Sequence, residues 1–350
     1  MTRQWKIGTC EECGKPATKG RCRSCWRKDN KRKPKICAEP GCDATLCRST
    51  VGDYCATHRY AQKRDKIRRV LVEEAAVAPS LPATPRLHGE AVVVSDLHIP
   101  WHDPEALLAV CDTARLLNID RLIIGGDLLH ADIISKFDGS KPVPITDEIN
   151  STARVLGALE EIFTEIHIIP GNHDQRLGRM LSRLGRSEDG QNALKMLAKT
   201  LGVEDDPEDV ALGLFRRFFE SPGVKVYAFP ELILNDAWLI LHPGSCSRVS
   251  PQTERKIANK HAMNVIGTHN HLVGYSFNEG DFVAANIGHL SADEKFAYVR
   301  VRPNTFPKMK QGFCCILCDE QHPSGYLLPI AIHEAWFSVR QLSERLQVSA

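Results

Sequence analysis

The spacing of apolar residues along the chain changes near residue 90. Beyond this point, short apolar runs alternate with segments in which apolar residues recur at helical spacing, a pattern typical of strands alternating with helices. The run at 91–95 is rich in β-branched residues and too short for a helix. Asp103 and Pro104 follow it as a helix cap and a proline suited to the first helical position. The larger part of the chain is therefore predicted to be a layered α/β domain.

Polar side chains that can bind metal stand directly after five of the predicted strands. They are Asp96, His98, Asp127, Asn172, His173, Asp174, His242, His269 and His271. A single aspartate in such a place is ordinarily a helix cap, and a single histidine is ordinarily a partly buried core residue. Sites in layered α/β folds form at the carboxyl ends of strands. The ordered set therefore indicates one metal-binding site.

In chain order these residues read D-x-H at 96–98, G-D at 126–127, G-N-H-D at 171–174, H at 242 and H-x-H at 269–271. This order resembles the calcineurin-like metallophosphoesterase superfamily over roughly residues 90–320. The resemblance implies an α/β fold of four layers, an αββα sandwich, and metal-dependent hydrolysis of phosphoester bonds.

The resemblance also implies a role for each ligand. Two divalent ions would be held, one by Asp96, His98 and His271, the other by Asn172, His242 and His269, with Asp127 bridging them. This mixture of carboxylate, amide and imidazole suits Mn²⁺, Fe or Zn²⁺. Two such ions lower the pKa of a bridging water, so that a metal-activated hydroxide attacks phosphorus. His173 corresponds to the family's histidine that assists the leaving group.

His130 occupies a position where many relatives carry an acid that orients the leaving-group histidine. Asp132 lies two residues further on and Asp174 directly follows His173, so either carboxylate is a candidate for the orienting role. The catalytic residues are therefore predicted as His173, Asp174 and Asp132. Candidate substrate-binding residues near the site are Arg176, His102 and His130.

The histidine motifs depart from the family pattern in two further places. His242 is followed by Pro243 where relatives usually have glycine, and Thr268 shifts the last motif one residue later, to His269 and His271. Two histidines separated by one residue at a strand end still point to one site, so the ligand set is retained in the prediction.

The net charge of +2 conceals an uneven distribution. Residues 1–70 carry 19 Lys and Arg against 7 Asp and Glu, a net charge of +12, and the rest of the chain carries −10. Eight of the 13 cysteines lie in the first 55 residues. The chain is therefore predicted to join two chemically different units.

Cysteine spacing predicts two structural zinc sites in the first 60 residues. The first would use Cys10, Cys13, Cys22 and Cys25, and the second Cys37, Cys42, Cys55 and His58, with Cys47 as a substitute ligand. Zinc prefers four thiolate or imidazole ligands in a tetrahedron. Disulfides are the alternative, disfavoured in a chain without an export signal. Large apolar residues are few here, so the metal would supply folding energy.

Basic residues flank these cysteines at 21–35 and 63–69. Such runs beside small zinc modules suit the phosphate backbone of nucleic acid. A solvated basic surface or a protein-interaction module is the alternative. The segment 37–58 also loosely resembles zinc-ribbon segments of phage and bacterial proteins.

The predicted organisation is a zinc-binding basic module at 1–60, a basic helix and Pro/Ala linker at 61–90, the metallophosphoesterase domain at 91–335 and a tail at 336–350. The predicted function is that of a metal-dependent phosphodiesterase, a nuclease acting on nucleic acid. The alternatives are a phosphomonoesterase acting on protein or nucleotide phosphate, and a nucleic-acid-binding adaptor with a vestigial metal site.

No apolar run approaches the roughly 18 residues that span a bilayer, and the first residues lack a signal-peptide core. The prediction is therefore a cytoplasmic protein of a bacterium or a phage-infected cell, with no membrane partner. The sequence leaves open a homodimer, the choice between DNA and RNA, and the resident metals.

Overall fold

The computed structural model describes residues 8–9, 11, 13–17, 35–46, 53–75, 83–134, 143–204, 206–277, 281–292, 295 and 309–332. The chain divides into two compact units, Met1–Pro82 and Ala83–Ala350. The predicted zinc ligands Cys10, Cys22 and Cys25, the substitute Cys47 and the tail at 336–350 lie outside the described residues. None of the described helices is both long and apolar enough to cross a membrane.

The first unit contains a two-stranded antiparallel ribbon, β1 (Gly8–Thr9) with β2 (Pro16–Ala17), and a long helix, α1 (Ala56–Ala75). The basic helix expected from residue 61 is present and begins five residues earlier, at Ala56. Among the described residues of this unit, only Ala17, Cys37 and Leu46 are buried apolar residues. This unit therefore has almost no apolar core in the part that the structure describes.

The second unit is built on two six-stranded sheets. The first sheet has the order β14-β13-β4-β5-β6-β7, and its strands are β4 (Ala91–Val94), β5 (Arg121–Ile124), β6 (Glu165–Ile168), β7 (Val224–Val226), β13 (Gly312–Leu317) and β14 (Tyr326–Ala331). The second has the order β11-β12-β10-β9-β8-β3, with β3 (Arg86–Leu87), β8 (Glu231–Leu234), β9 (Trp238–Leu241), β10 (Asn264–Gly267), β11 (Val273–Phe277) and β12 (Val283–Ile287). Strands β4 to β7 are parallel, as are β9 and β10.

Six helices are described in this unit. They are α2 (Pro104–Leu117), α3 (Ile145–Glu160), α4 (Arg176–Leu184), α5 (Glu188–Leu201), α6 (Pro207–Phe219) and α7 (Gln252–His261), with a short 3-10 helix at Asp132–Ile134. Helix α2 begins as the sequence predicts, because the Asp103 side chain accepts hydrogen bonds from the backbone N–H groups of Glu105 and Ala106.

Alternate residues of each central strand pack on opposite sides, as the two-residue period of a strand requires. In β4, Val93 lies in the apolar cluster between the two sheets, whereas Val92 and Val94 pack towards α2, α3 and α6. On the far side of the second sheet, Val265 packs with Ala258 of α7. The order helices, sheet, sheet, helix is the four-layer αββα arrangement that the resemblance implies.

Two buried cysteines illustrate the same alternation. Cys314 lies in the cluster between the sheets, and its neighbour Cys315 lies in the cluster under the helices. Both thiols therefore fill core positions. Helices α4, α5 and α6 share an apolar cluster of their own around Leu181 and Leu194.

Candidate metal centre

The candidate ligands lie in loops at the carboxyl ends of β4, β5, β6, β9 and β10. Five of them have left-handed backbone, with φ of 52° at Asp96, 49° at His98, 51° at Asp127, 83° at His269 and 56° at His271. This conformation costs a residue other than glycine about 1–3 kcal/mol and is concentrated at functional sites. The surrounding fold therefore imposes the positions of these side chains.

The first donor set joins the loop after β4 to the loop after β10. Asp96, His98 and His271 are all buried and place one donor atom each within 4.8 Å of the others. The Nε2 atoms of His98 and His271 are 3.3 Å apart, and His271 Nε2 is 3.1 Å from Asp96 Oδ1. Three donors facing one point in this way fit a metal ion.

The second donor set centres on His242. Its Nδ1 donates a hydrogen bond to the Gly125 carbonyl at 3.0 Å, so its Nε2 carries a lone pair. That Nε2 faces Asn172 Oδ1 at 3.0 Å and His269 Nδ1 at 3.1 Å. The amide oxygen is also an acceptor, and no hydrogen lies between it and the imidazole lone pair. A cation would satisfy both atoms, so these residues fit a metal.

Asp127 lies between the two donor sets. Its Oδ1 accepts the backbone N–H of His173 at 2.8 Å, while its Oδ2 is 3.5 Å from His242 Nε2 and 3.9 Å from His98 Nε2. Burial raises the pKa of Asp127 well above its usual value, and the nearby carboxylates of Asp96 and Asp174 raise it further. A group of buried carboxylates under mutual repulsion is stabilised by bound cations.

Two glycines make this arrangement sterically feasible, and the sequence reasoning missed their role. A Cβ at Gly171 would lie 2.1 Å from Asp127 Oδ1, and a Cβ at Gly126 would lie 2.5 Å from His242 Nδ1. The G-D and G-N-H-D motifs hold the signal for this close approach. Thr268 also supports His242, since its hydroxyl donates to the Gly125 carbonyl at 2.8 Å and lies 2.9 Å from His242 Nδ1.

His173 is held by a network that the sequence did not reveal. Its Nδ1 donates to the His130 carbonyl at 2.6 Å, and its Nε2 lies 2.9 Å from Nη2 of Arg176. The Nη1 of Arg176 donates to the same carbonyl and to Asp132 Oδ1, both at 2.9 Å. Burial and then the Arg176 charge lower the pKa of His173 well below its usual value. Because a guanidinium can only donate, the contact with Arg176 places a lone pair on His173 Nε2 and the proton on Nδ1.

The two carboxylates expected to orient His173 occupy other places. Asp132 acts through Arg176, and it also lies 2.8 Å from His130 Nε2. Burial alone would raise the pKa of Asp132, but the contacts with His130 and Arg176 lower it to about 2. Asp174 accepts the backbone N–H groups of Gly171 at 2.8 Å and Leu129 at 2.9 Å. Asp174 thus fixes the loop between strands and does not face His173 in the way that the sequence suggested.

The other candidates near the site differ in position. His130 is buried behind His98, with their Nδ1 atoms 3.4 Å apart. His102 pairs through its backbone with Ser291 and does not line the cavity at the donor sets. That cavity measures about 330 Å³, and its lining includes Asp127, His173, Arg248, His269, His271 and Met309. The candidate ligands therefore open on a space that admits a substrate, and Arg248 is a cation beside it that the sequence reasoning missed.

The second predicted zinc set is brought together in the first unit. The donor atoms of Cys37, Cys42, Cys55 and His58 lie within 4.8 Å of one another. Cys37 Sγ and Cys55 Sγ are each 3.3 Å from His58 Nδ1, and neither cysteine forms a disulfide. Of the first predicted set, Cys13 is the described member, and it is exposed.

Known proteins provide a comparison for this geometry. No curated protein matches the chain. Similar solved structures include Vps29 of Cryptosporidium parvum (12% identity, covering 71% of this chain and 100% of that chain, TM-score 0.34) and a single mutant of Vps29 of Entamoeba histolytica (11%, 70% and 99%, 0.33). Another is YfcE, a phosphoesterase of E. coli (15%, 69% and 99%, 0.33).

The family model of the calcineurin-like phosphoesterases matches residues 91–274, more than half of the chain. The matched segment begins with β4 and includes both donor sets. The chain therefore belongs to the calcineurin-like phosphoesterase family and is a metal-dependent hydrolase of phosphoester bonds.

Proposed function

We propose that this protein is a phosphodiesterase that cleaves nucleic acid at a centre of two divalent ions. The main support for a centre of two ions is the position of Asp127. Its Oδ2 lies 3.9 Å from His98 Nε2 in the first donor set and 3.5 Å from His242 Nε2 in the second. One ion would be held by Asp96, His98 and His271, and the other by Asn172, His242 and His269. When bound, divalent ions supply the positive charge that activates water and neutralises the phosphoryl oxygens.

Nucleic acid is favoured as the substrate by the charge of the first unit. Helix α1 presents six basic side chains, Arg59, Lys63, Arg64, Lys66, Arg68 and Arg69. A basic helix on the same chain raises the local concentration of a polyphosphate near the enzyme. A vestigial site is not favoured, because all seven candidate ligands are present and three of them, Asp127, His269 and His271, line one cavity.

Arg176 is proposed to contact the leaving oxygen. The neutral His173 has its only N–H on Nδ1, which is occupied by the His130 carbonyl. The guanidinium of Arg176 lies 2.9 Å from His173 Nε2 and is held there by Asp132. In this arrangement arginine, and not histidine, supplies the hydrogen-bond donor for charge that develops on the leaving oxygen.

Replacing Arg176→Gln is expected to lower kcat about 10- to 100-fold for a diester with an alkoxide leaving group, since a hydrogen bond from a charged group contributes about 1.5–3 kcal/mol. The effect should be smaller for bis(p-nitrophenyl) phosphate, whose leaving group needs little stabilisation. Steady-state kinetics on both diesters measures the difference. Arg183→Gln, an exposed position on the same helix, is the matched control. Equal losses on both diesters would contradict contact with the leaving oxygen.

The experiment that tests the proposed function is a substrate panel with Mn²⁺. Purified protein is incubated with single- and double-stranded DNA and RNA, with bis(p-nitrophenyl) phosphate, and with a phosphopeptide and nucleoside monophosphates. Cleavage of a nucleic acid and of the small diester is expected. Turnover of the small diester without cleavage of any nucleic acid at low or high salt would remove the nuclease, and preferential hydrolysis of monoesters would identify a phosphomonoesterase.

A further inference from the structure

The four donors in the first unit have the dimensions of a zinc site. Tetrahedral zinc with Zn–S near 2.3 Å and Zn–N near 2.0–2.1 Å separates a ligand sulfur from a ligand nitrogen by about 3.5 Å. The two thiols of Cys37 and Cys55 lie 3.3 Å from His58 Nδ1. The backbone N–H of Cys55 also points to Cys37 Sγ at 3.3 Å, a contact that stabilises a thiolate.

Two of these donors enclose the first turn of α1. Cys55 directly precedes the helix, and its carbonyl accepts the N–H of Arg59 at 2.9 Å, the first bond of the helical ladder. His58 lies three residues after Cys55, which places both side chains on one face of the helix. An ion bound to both would hold this turn in helical conformation.

Helix α1 buries none of its described side chains from Tyr60 onward. Every described side chain from Tyr60 to Glu73 is exposed, including the apolar Ile67 and Leu71. Helices in proteins are stabilised mainly by packing of one apolar face, and nucleation of an unpacked helix is unfavourable by a factor of about 10⁻³. A clamp on the first turn removes that nucleation cost.

We propose that a zinc ion held by Cys37, Cys42, Cys55 and His58 nucleates helix α1, and that the helix so formed binds the phosphate backbone of nucleic acid. Zinc binding and helix nucleation go beyond the proposed function, whereas the choice of nucleic acid as the bound polyanion rests on it. Catalytic turnover of a small diester does not depend on this zinc.

The basic residues of α1 lie together only when the segment is helical. Arg59, Lys63 and Lys66 follow one another at intervals of four and three, and Arg69 continues the same face. In an extended chain these charges would alternate irregularly with neutral and acidic residues. Because affinity for the phosphate backbone comes from charges that engage it together, loss of the helix is expected to weaken binding.

The test uses the full-length protein and three variants. Cys37→Ser removes a zinc ligand, Lys63→Gln/Lys66→Gln/Arg69→Gln neutralises the helix face, and Cys318→Ser is the control thiol in the second unit. Metal content is measured by mass spectrometry, protection of the amides at 56–75 by hydrogen exchange, and binding to fluorescein-labelled DNA by anisotropy across a salt series. Turnover of bis(p-nitrophenyl) phosphate is followed in parallel.

Cys37→Ser is expected to lose about one zinc per chain and the amide protection of α1, with diester turnover unchanged. The triple variant should keep zinc and helix, and its slope of log affinity against log salt should become shallower by about 2–3, since each phosphate contact contributes about 0.9. Cys318→Ser should match the wild type in all four measurements.

Retained α1 protection in a zinc-depleted Cys37→Ser protein would overturn nucleation by zinc, and an unchanged salt slope in the triple variant would overturn binding through α1. Preference of the wild type for phosphatidylserine vesicles over DNA would assign the helix to a membrane surface instead. A wild-type protein that binds DNA through α1 but cleaves no nucleic acid would refute the proposed function and leave the proposal for the zinc ion and α1 intact.

Discussion

Asp127→Asn is expected to lower kcat for bis(p-nitrophenyl) phosphate by at least about a thousandfold. Asp127 is the carboxylate that reaches both donor sets, and an amide at this position loses the charge and one of the two equivalent oxygens. Metal ions supply several kcal/mol of transition-state stabilisation, and about 4 kcal/mol corresponds to a thousandfold in rate. Steady-state kinetics in saturating Mn²⁺ measures the loss.

The control for this change is Asp236→Asn in the turn between β8 and β9, where the carboxylate is exposed and paired with Arg86. It should leave kcat unchanged, because a surface ion pair far from the cavity contributes little. Hydrogen exchange over the second unit establishes that Asp127→Asn is folded. A folded Asp127→Asn protein within tenfold of the wild type would contradict a bridging role for this carboxylate.

Removal of metal is expected to lower the melting temperature of the second unit by roughly 8–16 °C. An ion present at about a thousand times its Kd stabilises the folded state by about 4 kcal/mol. For domains of about 150–250 residues, each kcal/mol shifts Tm by about 2–4 °C. Differential scanning calorimetry with excess Mn²⁺ and with EDTA measures the difference.

Asp127→Asn distinguishes metal binding from a general effect of the chelator. In the metal-free protein the wild-type carboxylate is buried beside Asp96 and Asp174, so its replacement by a neutral amide should raise the metal-free Tm. The shift between Mn²⁺ and EDTA should therefore shrink in the variant. Equal shifts in the variant and the wild type would contradict metal binding at this centre as the cause.

The fold was largely accessible from the sequence because its signals are local. The β-branched run at 91–95 and the cap formed by Asp103 and Pro104 depend on neighbouring residues only, and both appear in the structure as β4 and α2. The order of metal-binding side chains after successive strands could be predicted for the same reason, because it is also a local feature of the sequence. Parallel strands carry such residues to one edge whatever the loops between them do.

The hydrogen bonds that hold the site residues in position could not be predicted from the sequence. His130 and Asp132 contact Arg176 across more than forty positions of sequence, and His242 is oriented by the carbonyl of Gly125. These bonds depend on backbone carbonyls and on left-handed loop conformations, which no side-chain pattern encodes. The sequence therefore offered Asp132 or Asp174 as partners of His173, whereas the structure places Arg176 there.

The amino-acid sequence by itself determined that a basic, cysteine-rich unit precedes an α/β domain with an ordered set of metal-capable residues, because composition, spacing and strand period are properties of the chain. Only the tertiary structure decided which donors face one another, that Asp127 lies between two sets, and that Asp174 fixes a loop. It also decided that Cys55 and His58, two of the predicted zinc ligands, enclose the first turn of α1. These facts depend on distances of a few ångströms between distant residues, which packing and loop geometry set.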